Sequence, residues 1–362
     1  MKFLSLEKEI FGLDISDRSL KLIYLKKKGK SFALASFNHI ETEPGVIEGG
    51  IIKNEEALIK IIKALLKNVK GKKITTKYVA VSLPEEKSFL QVIQMPKMTD
   101  DELKAAIIFE AENYIPLPIS EVYLDFQNVI PVKDHLSHND VLIAATPKKI
   151  VNSYVAMLKK SGLVPVALEV ESQAITRALV KNETSQSPII LIDFGKSSTI
   201  FIIFAGRSIQ FTCSIPVSAG QITEAISTSM NIHLRKAEEI KMKYNLANLK
   251  ANEKSKKILS AINPVLEDLV LQIKKYINFY QGHTSHEHVS SGYNIEKILL
   301  CGGGANLKGL TQFLSKELQI PVELGNFWTN FDSKKINHAF DKDSLSFVTA
   351  LGLAMRGIHN IE

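Results

Sequence analysis

Asp14 and Asp193 each close an apolar run, in Phe11-Gly12-Leu13-Asp14-Ile15-Ser16-Asp17 and in Leu191-Ile192-Asp193-Phe194-Gly195-Lys196-Ser197, and a turn of small residues follows each. Carboxylates at strand ends suit Mg²⁺ held through water, the usual mode for that ion. Phosphate oxygens need backbone N–H groups at short range, which only a turn of small residues permits. Ser16, Asp17 and Ser19 supply such a turn after Asp14; Gly195, Ser197, Ser198 and Thr199 supply it after Asp193. Lys21, seven residues beyond Asp14, is placed to reach a β- or γ-phosphate. A third element, Gly302-Gly303-Gly304-Ala305-Asn306-Leu307, follows the apolar run 298–301 and enters a predicted helix at Lys308. Bare backbone at a helix start suits a flat or charged ligand. Each motif alone has an ordinary explanation, because Asp and Ser favour turns and a strand-to-helix corner needs glycine. Two hairpins and a glycine loop together point to a nucleotide-binding protein built from two related halves.

Alternating and helical periodicities supply the elements that would hold these residues. Strand, turn, strand, strand is predicted over 11–36, then an amphipathic helix over 55–69 and a buried strand over 78–83. Residues 83–162 have a different texture, with strands at 89–95, 123–130 and 141–146 and helices at 103–113 and 148–161. Thr99 followed by Asp100, Asp101 and Glu102 is a capped helix start. This stretch reads as a small α+β unit inserted into the first half. A strand at 164–169 and a helix at 172–180 lead to the polar boundary 181–187. The second half repeats the aspartate hairpin, then has helices at 218–230, 234–242 and 258–280, a strand at 298–300, and helices at 307–317 and 346–357. A β-β-β-α-β-α order occurring twice is an α/β duplication.

The 362 residues carry a net charge of +7, mostly lysine, with a denser patch at Lys67, Lys70, Lys72, Lys73 and Lys77. No aromatic residues interleave with that patch as a base-stacking platform requires, so nucleic acid is not an expected partner. Two cysteines, Cys213 and Cys301, make no disulfide framework and read as reduced core residues. The charged N-terminus lacks a signal-peptide core, and no apolar run approaches the ~20 residues needed to span a bilayer. A soluble protein is expected, with membrane contact only through a partner. His283, His286 and His288 with Glu287 lie in a polar segment that reads as a solvated loop rather than a ligand frame. The basic helix over 55–70 is expected to pack on the sheet with its lysines in water.

The two-hairpin clamp with its glycine loop resembles the actin, sugar kinase and Hsp70 ATPase fold. Asp14, Lys21, Asp193, Gly195 and Gly302 to Gly304 fall at matching motif positions. Ala237-Glu238-Glu239-Ile240-Lys241 resembles the helix that flanks adenosine there, and Phe347-Val348-Thr349-Ala350-Leu351-Gly352-Leu353-Ala354 resembles the closing helix. The insert narrows the resemblance. Met95-Pro96-Lys97-Met98, Asp101-Glu102-Leu103, Glu110-Ala111-Glu112-Asn113-Tyr114-Ile115-Pro116-Leu117-Pro118 and Leu124-Asp125-Phe126 are similar to the PilM family, relatives of the cell-division protein FtsA.

The resemblance implies an actin-like ATPase fold, two duplicated ribonuclease-H-like halves with an inserted α+β subdomain as in FtsA. It implies a first half at 1–82 completed by 163–185 and 345–362, the insert at 83–162, a second half at 186–225 and 294–344, and a helical subdomain at 226–293. It implies ATP and Mg²⁺ as ligands, the ion held through water on Asp14 and Asp193. Adenosine would lie against Glu238, Lys241, Gly302, Gly303, Gly304, Asn306 and Leu307. The implied partner is the cytoplasmic N-terminal tail of a PilN-like bitopic membrane protein, gripped near Leu83, Met95, Pro96, Ile115 and Pro116, together with other pilus platform proteins and further copies of the chain. The implied location is cytoplasmic, peripheral at the inner membrane through the partner, with weak or no ATPase activity. A phosphotransferase of the same superfamily and an FtsA-like filament protein are the alternatives. FtsA anchors itself by a C-terminal amphipathic helix after a linker; here the chain stops soon after the closing helix, so self-anchoring is not expected. The family's first hairpin usually reads Gly-x-Asp-x-Gly-Ser, whereas Ser16 and Asp17 stand here. A carboxylate so close to a triphosphate predicts that Asp17→Ser tightens nucleotide binding.

Overall fold

A computed structural model of the chain describes residues 9–28, 31–129, 138–246, 253–283, 294–331, 340 and 344–357. The chain begins with β1 (Phe11–Ser16), β2 (Ser19–Lys28) and β3 (Ser31–Glu41), a meander. Short strands β4 (Ile47–Glu48) and β5 (Ile51–Ile52) precede α1 (Glu55–Lys67), β6 (Lys70–Gly71) and β7 (Tyr78–Leu83). Next come β8 (Phe89–Pro96), α2 (Asp100–Ala111), β9 (Val122–Val129) and β10 (His138–Pro147), then α3 (Lys148–Lys160), β11 (Val164–Val170) and α4 (Glu171–Leu179). The remainder runs through β12 (Ser185–Phe194), β13 (Thr199–Gly206), β14 (Ser208–Ile215), α5 (Ala219–Met230), α6 (Leu234–Lys243) and α7 (Glu253–His283). It ends with β15 (Lys297–Cys301), α8 (Leu310–Leu318), β16 (Val322–Leu324) and α9 (Val348–Arg356).

The duplication is visible in the sheets. One has the order β11-β7-β1-β2-β3-β6 and the other β14-β13-β12-β15-β16. In each, the strand that carries the aspartate pairs antiparallel with the next strand and parallel with a later one: β1 with β2 and β7, β12 with β13 and β15. Central parallel strands of this kind are buried on both faces, hence their near-continuous Val, Ile and Leu. The three strands β8-β10-β9 form a separate sheet. Its core of Ile93, Met95, Leu103, Ile107, Ile115 and Val141 is its own.

Helices sit where caps and apolar stripes dictate. Asn54 accepts the Ala57 N–H at 3.0 Å to start α1, whose Leu58, Ile62 and Leu65 are buried against the first sheet. Thr99 and Glu102 form the capping box expected before α2. Helix α7 runs longer than the periodicity of 258–280 predicts and contains Pro264. Its stripe of Ile262, Leu266, Leu269 and Ile273, all fully buried, holds the helix together across the missing N–H. The helix predicted from 307 starts later, at Leu310, because Gly303–Asn306 form a 3₁₀ turn and Gly309 takes φ 85°.

Helix α9 is buried along Val348 to Met355 and packs between β1 and α4. Its closest approach is at Gly352, where an added Cβ would lie 1.8 Å from the Ala174 carbonyl oxygen. Beside that crossing Glu169 is nearly fully buried and accepts from both Arg177, which also donates to the Gly352 carbonyl at 3.0 Å, and Arg356. Two guanidiniums on one buried carboxylate tie β11, α4 and α9 together beneath the junction of the two halves.

Candidate functional site

The two hairpins meet face to face. Asp14 and Lys21 are direct cross-strand partners on β1 and β2, and the Lys21 Nζ lies 3.1 Å from Asp14 Oδ2. The other Asp14 oxygen takes the Ser82 hydroxyl at 3.2 Å, while Ser82 Oγ also accepts the Ile15 N–H at 3.0 Å. Two sheet-borne groups therefore fix the Asp14 carboxylate, which is 3% exposed. Asp193 stands opposite, at the end of β12 beside Cys301. The turn after it is fixed by the Gly195 N–H on the Ser198 carbonyl at 3.0 Å and the Ala219 N–H on the Gly195 carbonyl at 2.9 Å. Between the hairpins lies a cavity of about 280 Å³.

Asp14, Ser16, Ser19 and Lys21 line this cavity from the first half, and Asp193, Gly195, Ser197 and Ser198 from the second. Gly302, Gly303, Gly304 and Asn306 close one wall, and Glu238 and Lys241 of α6 another. Gly302 has φ 85°, and a Cβ there would lie 2.1 Å from Asp193 Oδ1; at Gly303 a Cβ would meet nothing within 4 Å. Gly302 thus lets the loop close over Asp193, and Gly303 offers bare backbone to the cavity. Lys241 donates to the Ala219 carbonyl at 3.0 Å and to Thr223 Oγ1 at 2.8 Å, and pairs with Glu238 at 2.8 Å. Burial lowers the Lys241 pKa, while burial of Glu238 is outweighed by that lysine and its carboxyl is held below the usual range.

Three expected residues do not join the site. Asp17 turns away: its carboxylate accepts the Gly49 N–H at 2.7 Å and the Gly50 N–H at 3.0 Å. Thr199 is fully buried and donates to the Val217 carbonyl at 2.6 Å, and Leu307 is packed in the second-half core. The residues expected to grip a partner do not form a groove either. Leu83 is packed in the first-half core and Met95 and Ile115 in the insert core, leaving only Pro96 and Pro116 exposed. A module as small as the insert must bury its own apolar residues to hold together. His286, His288 and Glu287 lie outside the described residues.

Because the Asp17 carboxylate is already occupied and does not line the nucleotide cavity, Asp17→Ser removes two bonds to the loop at Gly49 and Gly50 and relieves no repulsion of the nucleotide. The expected result is the reverse of that read from the sequence: thermal stability falls by about 1–3 kcal/mol and Mg-ATP binding does not tighten. Thermal unfolding and a nucleotide titration of the variant check both.

Sequence reasoning missed Glu171, the first residue of α4, which also lines the cavity. Burial and the nearby charge of Asp14 raise its pKa well above the carboxylate range. Burial likewise raises Asp193 to about 6, despite Lys21. For Lys21 the burial penalty is outweighed by Asp14 and Asp193, so its pKa is raised and it stays charged. Asp14 and Asp193 thus face each other across Lys21, and a divalent cation held between them would favour the ionised form of both. An acid at a strand-to-helix junction was the available signal, but nothing local distinguishes Glu171 from an ordinary helix-start glutamate.

Sheets of matching order, each presenting an aspartate hairpin to a shared cavity with a glycine loop at its wall, define an actin-like protein. The chain matches the model of the type IV pilus assembly protein PilM over residues 12–358, and it belongs to that family. A solved PilM–PilN type IV pilus biogenesis complex contains a chain with which it shares 30% identity and a TM-score of 0.80, covering 97% of this chain and 99% of that one. MreB5 of Spiroplasma citri bound to ADP shares the fold at 13% identity and a TM-score of 0.54, covering 98% and 99% of the two chains. Among curated relatives, FtsA of Buchnera aphidicola is 26% identical over 197 residues, 49% of this chain and 47% of FtsA. FtsA of Helicobacter pylori is 24% identical over 219 residues, 53% of this chain and 44% of FtsA. The chain thus spans about half the length of the curated relatives it matches. No helix among the described residues is long and apolar enough to cross a membrane.

Proposed function

We propose that the chain is an ATP-binding scaffold of a type IV pilus assembly platform, held at the cytoplasmic face of the inner membrane by the N-terminal tail of a PilN-like membrane protein. The observation that carries the nucleotide part is the convergence of Asp14 and its Lys21 partner with Asp193 across the cavity, in a chain that matches the PilM family from 12 to 358. Asp14 and Asp193 would hold Mg²⁺ through water, and the ion would supply positive charge for the phosphates and favour the ionised form of Asp193. The turns at Ser16–Ser19 and Gly195–Ser198 and the open backbone at Gly303 supply N–H groups to the nucleotide. The docking part is supported by membership of the family and by the likeness to a chain of the solved PilM–PilN complex. The recess the fold leaves for an extended tail lies beside the insert, a cavity of about 810 Å³ between β8 and β14. Among the described residues both are edge strands, so each offers one side for strand addition.

Little hydrolysis is expected. A phosphotransferase needs an ionised base near the γ-phosphate. In Glu171, the acid that α4 brings to the cavity, burial and Asp14 raise the pKa and disfavour the ionised form. The test of the nucleotide site is the pH dependence of Mg-ATP affinity. Asp193 must be ionised to hold the cation, and its pKa is about 6. Affinity is therefore flat above pH 7 and falls by about tenfold per unit as pH drops below 6. A titration series showing equal affinity at pH 5 and pH 7.5 contradicts the assignment.

A further inference from the structure

The recess between β8 and β14 and the nucleotide cavity share a wall. Ser197 and Ser198, in the turn after Asp193, line both. Between them lies a small chamber of about 70 Å³ bounded by Ser16, Glu85 and Glu171. Across it two glutamates cap each other's chain starts. The Glu85 N–H donates to Glu171 Oε2 at 3.0 Å, and the Ser172 N–H donates to Glu85 Oε2 at 3.0 Å. The remaining Glu85 oxygen accepts the hydroxyl of Thr212, which belongs to β14 of the other half. Glu85 is 6% exposed. Thr212 is thus tied through one carboxylate to the residue that α4 presents to the nucleotide cavity.

We infer that this clasp sets nucleotide binding against opening of the recess: holding the two hairpins together keeps Thr212 on Glu85, and a segment wedged between β8 and β14 pulls it off. The inference rests on the nucleotide reading above. A nucleotide bridging the hairpins fixes β13 and β14, which are continuous with the Gly195–Ser198 turn, against the first half. An occupant of the recess separates the same elements. Each ligand then weakens the other by the same factor, as linkage requires. Losing the Thr212 bond leaves the buried Glu85 carboxyl with the Ser172 N–H alone, so opening the recess carries a cost that a nucleotide holding the two halves together adds to.

Cys213 is a reporter within the recess. It lines the wall next to Thr212, and burial pushes its thiol up to about 12, so closure suppresses its reactivity. The other cysteine, Cys301, is fully buried in β15. Maleimide labelling of the full chain is followed without nucleotide and with Mg-ATP, its saturation measured by titration on the same samples. Saturating Mg-ATP is expected to slow labelling about tenfold, within the usual range of such couplings. Thr212→Val is expected to label fast with or without Mg-ATP, while Thr212→Ser, which keeps the hydroxyl, retains the nucleotide effect. An unchanged rate in the wild type at demonstrated saturation overturns the coupling alone, as does a Thr212→Val protein that still slows tenfold. Failure of Mg-ATP to bind overturns the nucleotide reading and the coupling with it.

Discussion

Asp193→Asn is expected to be more stable than the wild type at pH 7.5 and to bind Mg-ATP at least about 100-fold more weakly, a loss near 3 kcal/mol. The two effects have opposite signs because burial makes the ionised carboxylate unfavourable in the chain without a cation. Burial raises Asp193 from 3.8 to about 6, so the folded chain holds that proton more tightly than the unfolded one. The penalty is absent below the unfolded pKa, grows between about pH 4 and 6, and is complete above 6. Allowing for partial exposure, it amounts to about 1–2 kcal/mol at pH 7.5. Asparagine keeps the shape and removes the charge, so the variant gains that amount at pH 7.5 and nothing at pH 4. It also loses the anionic oxygen that faces the cation. A stability gain coupled to a binding loss is what a functional acid shows and a structural one does not. Thermal unfolding at the two pH values, with a nucleotide titration at the higher, decides it.

Gly352→Val is expected to be strongly destabilising. Helices α4 and α9 touch at backbone level, and a Cβ at 352 would stand 1.8 Å from the Ala174 carbonyl oxygen and 2.8 Å from its Cα. Neither atom belongs to a flexible side chain, so the helices must separate by more than an ångström. That movement opens the buried layer in which Leu351, Ala354 and Phe347 pack, and it draws Arg177 off the Gly352 carbonyl and away from Glu169. Overpacking alone costs about 1–3 kcal/mol, and disturbing a buried charge cluster adds several more. A loss of at least about 4 kcal/mol follows, read as a shift of the denaturant midpoint. Gly352→Ala meets the same oxygen and is expected to lose nearly as much. A tolerated valine would mean that α9 does not close the two halves as described.

Much of this site is visible in the sequence because it is local. Asp14 and Lys21 are opposite partners of one hairpin, and their spacing places them so before any tertiary contact forms. The repeated hairpin likewise announces the paired sheets. What escaped depends on contacts distant along the chain. Asp17 faces away because Gly49 and Gly50 present two N–H groups to it, which no pattern near residue 17 encodes. Glu171 becomes part of the cavity only because β11 pairs parallel to β7 and delivers the start of α4 between Asp14 and Asp193. Met95 and Ile115 sit in a family motif, yet both are consumed by the insert's own core. The apolar signal cannot separate a docking surface from a core when the module is this small.

The most direct measurement is calorimetric titration of the purified chain with Mg-ATP, and then with a synthetic peptide of a PilN-like N-terminal tail, while phosphate release is monitored. Binding of both ligands with no phosphate released over hours is the predicted result for a nucleotide-loaded docking scaffold. Rapid turnover of ATP with no heat from the peptide would contradict it and make the chain an enzyme instead.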